Sequence, residues 1–224
     1  ERRGLYMEYA ELLMERGHAY RCFCEKTEES AEGFKHEDDP CRNMSREESD
    51  RRAAAGDYRE SLRMMLDIEL HRADGEVIYD CALNDAVVKS DVNCINLAVH
   101  ADGTEITNFA GDGVIIATPT GSTAYSMSAG GPIVEPEAAN IIITPICAHI
   151  MAAKSFVLSP ERTVTVIPER LRGRRAVLSV DGSEGIQLAS GDEVRARWSG
   201  NTVIMADMEV RSFYDTALNK LTQS

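Results

Sequence analysis

From Tyr58 onward, short apolar runs are separated by turns that leave the chain little choice but to double back. Asp74-Gly75, Asp102-Gly103, Asp181-Gly182 and Ser199-Gly200-Asn201 are hairpin signals, because residues that tolerate positive φ let two strands meet with the correct twist. Residues 163–167 alternate at period two, as a half-buried strand does. Residues 194–198, then Ser-Gly-Asn, then 202–205 read as strand–turn–strand. Residues 58–212 are therefore expected to be mostly β, with one helix following Thr123. Residues 213–221 are expected to close the chain as a helix, with Tyr214, Leu218 and Leu221 on one face.

Residues 1–57 read differently. They hold ten Lys/Arg and fifteen Asp/Glu and show no strand-like alternation. Leu5, Tyr9, Leu12 and Leu13 repeat at helical spacing, with Gly17 where a helix-terminating glycine belongs. A second helix is expected from Ser45, with Glu48 three residues on as in a capping box, through Arg51 to Ala55 before Gly56. Residues 25–40 form a polar, acidic loop between them. So short a segment buries little core by itself. The chain thus divides into a helical part, 1–57, and a β-rich part, 58–224.

The 224 residues carry 24 Lys/Arg against 37 Asp/Glu, a net charge of -13. Such a chain is a poor general polyanion binder, and no nucleic acid is expected as partner. An anionic ligand must instead be held locally by oriented N–H groups and hydroxyls. Cys22, Cys24, Cys41, Cys81, Cys94 and Cys147 are too scattered for a secreted disulfide framework. The longest apolar stretch, 141–153, is broken by Thr144, Pro145 and His149, so no membrane association is expected. A soluble, cytoplasmic chain is the expectation.

The most informative stretch runs from Gly111 to Tyr125. A tight Gly-Asp-Gly turn feeds an apolar strand, which empties into a loop of hydroxyls and one glycine before a helix. Gly121 is expected to let backbone approach a ligand, with Thr118, Thr120, Ser122 and Thr123 as hydroxyl donors and the helix start attracting anions. On these grounds alone the loop is either a nucleotide or phosphate cradle or an ordinary Ser/Thr-rich turn with a capped helix. Asn84-Asp85, taken alone, is a solvated turn after a strand.

Thr118-Pro119-Thr120-Gly121-Ser122-Thr123-Ala124-Tyr125, preceded by Gly111-Asp112-Gly113 and followed by Ser128-Ala129-Gly130-Gly131-Pro132, resembles the C-terminal domain of NAD kinases. Arg63 to Leu66, Ala82-Leu83-Asn84-Asp85, Ile143 to Cys147, Ser179-Val180-Asp181-Gly182 and the closing Phe213-Tyr214 through Lys220-Leu221 extend the likeness over about 165 residues. Ala148 stands where the family usually has proline. The resemblance implies a β-rich, sandwich-like domain and transfer of a phosphoryl group from ATP, with Mg²⁺, to the 2′-hydroxyl of the NAD adenosine ribose, giving NADP. By motif, Asn84 and Asp85 hydrogen-bond the adenosine of NAD. Thr120, Thr123 and Ala124 lie along adenine and ribose, and Tyr125 near the 2′ position. Asp112 serves the nicotinamide half, often from a neighbouring subunit.

The family's Gly-Gly-Asp-Gly motif, whose aspartate is taken as the base, does not occur before Asn84. The catalytic residue is therefore unassigned, with Asp85, Asp112 and Asp181 as candidates. An NAD(P)-binding module without turnover is the alternative reading. The closing segment near Phe213 packs in the family on the earlier domain, so uncovered apolar surface is expected to favour a homo-oligomer.

Residues Leu5 to Ala10, Gly17 to Cys24 and Cys41 to Ser45 resemble a fragment of bacterial glutamyl-tRNA synthetases, without the His-Ile-Gly-His or Lys-Met-Ser-Lys-Ser signatures. An RNA-contacting role for this fragment is a third reading, and the acidic charge of both halves opposes it. Cys22, Cys24 and Cys41 supply three thiols, but position 43 is Asn, so zinc is not expected unless His36 completes a site. The chain reads as a junction of two unrelated pieces, a chimera in organisation.

Overall fold

A computed structural model describes residues 45–54, 59–90, 94–149, 153–169, 171, 173–207 and 213. The expected helix on Leu5 to Leu13, the acidic loop 25–40, the thiols of Cys22, Cys24 and Cys41 with His36, and all of the closing helix but Phe213 lie outside these residues. Backbone proximity separates two compact units, Glu1–Glu60 with Ala206–Thr216 and Ser61–Met205 with Ala217–Ser224. In the first unit, helix α1 (Arg46–Ala54) starts where the capping pattern places it. The Glu48 N–H donates to Ser45 Oγ at 3.2 Å, and Glu48 in turn pairs with Arg51 and Arg52.

The second unit is built from two six-stranded sheets, and the ladders described in full are antiparallel. The strands are β1 (Arg59–His71), β2 (Val77–Ala82), β3 (Asp85–Lys89), β4 (Ile95–Ala101), β5 (Thr104–Gly111), β6 (Gly113–Ala117), β7 (Ile141–Ile146), β8 (Phe156–Leu158), β9 (Val164–Glu169), β10 (Ala176–Val180), β11 (Ile186–Leu188) and β12 (Glu193–Asp207). One sheet runs β2-β1-β12-β9-β4-β5, the other β11-β10-β3-β6-β7-β8. Leu66, Ile68, Val99 and Val166 from the first share a single core with Ala86, Val88, Ile116 and Ile143 from the second. This is a β-rich, two-sheet body, as the resemblance implies.

Three of the four turn signals make hairpins. Ala101 pairs with Thr104 across a two-residue turn in which Asp102 and Gly103 have φ of 48° and 79°, the left-handed pair that a type I′ turn demands. Asp74-Gly75 joins β1 to β2, and Asp181-Gly182 lies between β10 and β11. The fourth expectation is corrected: Ser199-Gly200-Asn201 continues a single fifteen-residue strand, β12. Gly200, at φ 71°, absorbs an irregularity there while Asn201 N–H bonds Ser199 Oγ at 3.0 Å. A glycine flanked by small polar residues signals a departure from ideal strand geometry, and a departure inside a long strand carries the same signature as a reversal.

The second sheet is buried on both faces, which explains why β6 and β7 are apolar at almost every position rather than alternating. Its inner face meets the first sheet. On its outer face Val87, Ile115, Ala117, Ile142 and Ile146 pack with Ala129 and Val134 of the segment between β6 and β7. That segment is the hydroxyl-rich loop. The chain crosses between sheets at Leu83-Asn84, after β2, and again at Asp112, between β5 and β6.

Candidate functional site

The Leu83-Asn84 crossing is held by one carboxylate. Asp181 accepts the N–H groups of Leu83 and Asn84 at 2.7 Å each and of Asp85 at 3.0 Å. Its own N–H donates to the Asp85 carbonyl at 2.9 Å, so the corner and the β10–β11 turn clasp each other. Three successive N–H groups around an anion form a nest, filled here by a side chain of the same chain. The suggestion of Asp181 as a spare base gives way to this anchoring role.

The loop after β6 fastens onto the same corner. Thr118 N–H donates to the Asn84 carbonyl at 2.8 Å, Thr118 Oγ1 donates to the Leu83 carbonyl at 2.6 Å, and Gly121 N–H donates to Thr118 Oγ1 at 3.1 Å. A Cβ on Gly121 would stand 2.0 Å from the Asn84 carbonyl oxygen. The glycine is thus required by the approach of Asn84 backbone, a constraint the sequence expectation did not include. Ser122 Oγ donates to the Val134 carbonyl and accepts from the Val134 N–H, at 3.0 and 3.1 Å. Thr118 and Ser122 are therefore committed to the fold. Thr123 Oγ1 reaches the Thr120 carbonyl at 3.4 Å. Thr120 Oγ1 differs: it is buried with no hydrogen-bond partner.

The expected helix is short. Thr120–Thr123 is a 3₁₀ turn, and the α-helical piece after it, α2, spans only Tyr125–Ser128. So brief a helix does not supply an anion site of its own, and the expectation of one at its start is corrected.

What the corner and loop enclose is a depression of about 240 Å³, lined among others by Asn84, Asp85, Lys89, Ala124, Tyr125 and Asp181. Four of the seven residues singled out from sequence line it together. Thr120 and Thr123 stand on the adjoining turn. Asp112 does not line the depression: Asp85 pairs with Ala117 at one end of β3, whereas Gly113, which follows Asp112, pairs with Lys89 at the other. Its carboxylate hydrogen-bonds Cys147 and holds that thiol above its ordinary range. The sequence reading missed Lys89, although period two puts it on the face shared by Asp85 and Val87.

Asp85 is 6% exposed, and its carboxyl accepts no hydrogen bond from the described residues. Burial first, and the neighbouring charge of Asp181 second, push it from an ordinary 3.8 up to about 6. The unfolded chain ionises this group near 3.8 and the folded chain only near 6, so its contribution to stability is full below pH 3.8 and lost as pH rises through 6. The loss is on the order of 3 kcal/mol. Asp85→Asn is expected to erase it: the variant's urea midpoint should gain on the wild type between pH 4 and 8. Parallel pH profiles would refute the assignment.

Among the described residues, no three His, Cys, Asp or Glu side chains gather to cage a metal ion. No described helix is long and apolar enough to cross a membrane.

Residues 83–207 match the family described as ATP-NAD kinase C-terminal domain. Residues 1–95 match tRNA synthetases class I (E and Q), catalytic domain, a stretch that reaches past β3. The NAD kinase of Carboxydothermus hydrogenoformans is 39% identical over 172 residues, 76% of this chain and 61% of that protein. That of Geotalea daltonii is 34% identical, over 76% of this chain and 60% of its own length. The chain thus spans about three fifths of the curated relatives it matches. In structure it resembles yeast NADH kinase complexed with NADH, with TM-score 0.69 and 28% identity, over 77% of this chain and 51% of that one. It also resembles an NAD kinase from Archaeoglobus fulgidus in complex with ATP, with TM-score 0.58 and 28% identity, over 70% and 61%. With more than half of its residues inside that C-terminal-domain match, the chain belongs to the NAD kinase family.

Proposed function

We propose that the depression holds the adenosine end of NAD, and that residues 58–224 form the NAD-binding domain of an NAD kinase-type phosphotransferase, with 1–57 a synthetase-like segment. The observation that carries this reading is the convergence of Asn84, Asp85, Ala124 and Tyr125 on one cavity from two separate stretches of chain. Asn84 offers an amide that donates and accepts together, as an adenine edge requires. Tyr125, 39% exposed, supplies an aromatic wall.

The reaction is transfer of a phosphoryl group from ATP to the ribose 2′-hydroxyl. Mg²⁺ enters with the nucleotide phosphates, neutralising their charge; the described residues form no cage for it, and no step is assigned to a protein-held ion. Of the three candidate bases, Asp85 is the best suited, because its carboxylate is free of donors and titrates near neutrality. Asp181 already holds three N–H groups, and Asp112 does not line the depression. Asp112 would then serve a neighbouring subunit's site in a homo-oligomer.

Calorimetric titration with NAD, then NADP, tests the reading. Asn84→Ala is expected to weaken NAD more than about tenfold, equal to about 1.4 kcal/mol. A folded chain that binds neither nucleotide, or binds equally after the substitution, overturns it. Incubation with ATP, Mg²⁺ and NAD then separates turnover from an NAD(P)-binding module that yields no NADP.

A further inference from the structure

The depression is electrically lopsided. Strand β3 sets Asp85, Val87 and Lys89 along one face, with the Cα atoms of Asp85 and Lys89 about 13 Å apart along the strand. Asp85 and Asp181 make one end acidic. Lys89 is the single Lys or Arg in the lining, and among the described residues no carboxylate pairs with it. Its Nζ stands 5.9 Å from the centroid of the Tyr125 ring. An aromatic face steadies a cation without consuming its three N–H donors. Those donors are therefore available, at the opposite end from the two acids.

From this polarity we propose that Lys89 is the anion subsite of the cavity, taking the diphosphate bridge of a dinucleotide whose adenine lies at the Asn84 corner. The inference rests on the reading of the depression as a dinucleotide site and adds a direction to it. A diphosphate bridge, which unlike the ATP phosphates enters without Mg²⁺, meets like charge near Asp85 and Asp181, whereas at Lys89 it meets an uncompensated cation. The ligand's anionic part is thus steered toward the Lys89 end, and Tyr125 forms the wall between base and phosphates.

The test compares two ligands that share the adenosine and differ in phosphate. NAD and adenosine are titrated into the wild-type chain, Lys89→Gln, Lys89→Arg and Asn84→Ala, with far-UV circular dichroism confirming each fold. Lys89→Gln is expected to weaken NAD about tenfold while adenosine changes less than about twofold, and Lys89→Arg to keep most NAD affinity. The salt dependence of NAD binding should also shrink in Lys89→Gln. Equal losses for both ligands would mean that Lys89 acts through the Tyr125 wall, and no loss for NAD would mean that it touches no phosphate; either overturns the proposal. If Asn84→Ala weakens both ligands and Lys89→Gln weakens neither, the adenosine reading stands and the anion subsite alone falls. If the wild type binds neither ligand, both fall together.

Discussion

Gly121→Ala is expected to cost about 3 kcal/mol and to abolish nucleotide binding in whatever fraction remains folded. The added methyl would lie 2.0 Å from the Asn84 carbonyl oxygen and 2.5 Å from its carbon. Both are backbone atoms at the point where the chain passes between sheets, so no side chain can swing aside to make room. The same carbonyl accepts the Thr118 N–H, and relieving the clash breaks that bond or pulls Asn84 off the corner. Gly103→Ala provides the contrast. A Cβ there meets nothing within 4 Å, and only the positive φ of 79° opposes it, a cost of about 1 kcal/mol. Urea denaturation of both variants at unchanged m-value checks the difference. Equal midpoints would show that the Gly121–Asn84 approach is not tight, and the account of the corner would have to be abandoned.

Removal of the Asp181 carboxylate is the second large effect. Asp181→Ala strands three N–H groups of one continuous segment, those of Leu83, Asn84 and Asp85. Hydrogen bonds to a charged acceptor contribute about 1.5–3 kcal/mol each when scored singly. These three share one exposed acceptor, and water can partly replace it, so the expected sum is only about 2–3 kcal/mol. Asp181→Asn retains one acceptor oxygen and a residue comfortable at the observed φ of 46°, and it should lose roughly half as much. The two variants also differ from a plain loss of stability in one readout. Without the Asp181 charge, the carboxyl of Asp85 falls back toward its ordinary range, though not fully, because burial is the larger cause. The pH at which stability is lost should shift down in Asp181→Asn. A destabilised variant whose pH profile is unmoved would show that the two carboxyls do not sense each other.

The fold was legible where a local sequence demands a local conformation. Asp102-Gly103 forces left-handed backbone at two successive positions, and the period-two run at 163–167 has one buried face. Ser199-Gly200-Asn201 was misread because its signal is equally local and says nothing of what pairs on either side. At the site, the residue types were legible and their employment was not. Thr118 spends its hydroxyl on a carbonyl 35 positions away, and Asp181 reaches amides nearly a hundred positions back. No spacing rule encodes such pairings; they arise when two sheets stack and bring the β2–β3 corner beside the β10–β11 turn. Asn84, Ala124 and Tyr125 could be singled out only through their motif, whereas Lys89 was open to simple alternation along β3.

The fastening of the hydroxyl loop bears on how affinity arises. Thr118, Ser122 and the buried Ser126–Thr144 hydroxyl pair tie the loop down from both ends, and Gly131 abuts that pair closely enough that a Cβ would stand 2.3 Å from Ser126 Oγ. A wall fixed in this way is preorganised. A nucleotide that enters does not have to order the loop first, which elsewhere subtracts about 0.5–1.5 kcal/mol for every side chain immobilised. On the proposed reading of the depression, selectivity then falls to the lining groups the fold has left unspent, chiefly the Asn84 amide and the Lys89 ammonium. A rigid cleft of this kind discriminates by the shape and hydrogen-bonding edge of what is offered to it, and it does so without closing.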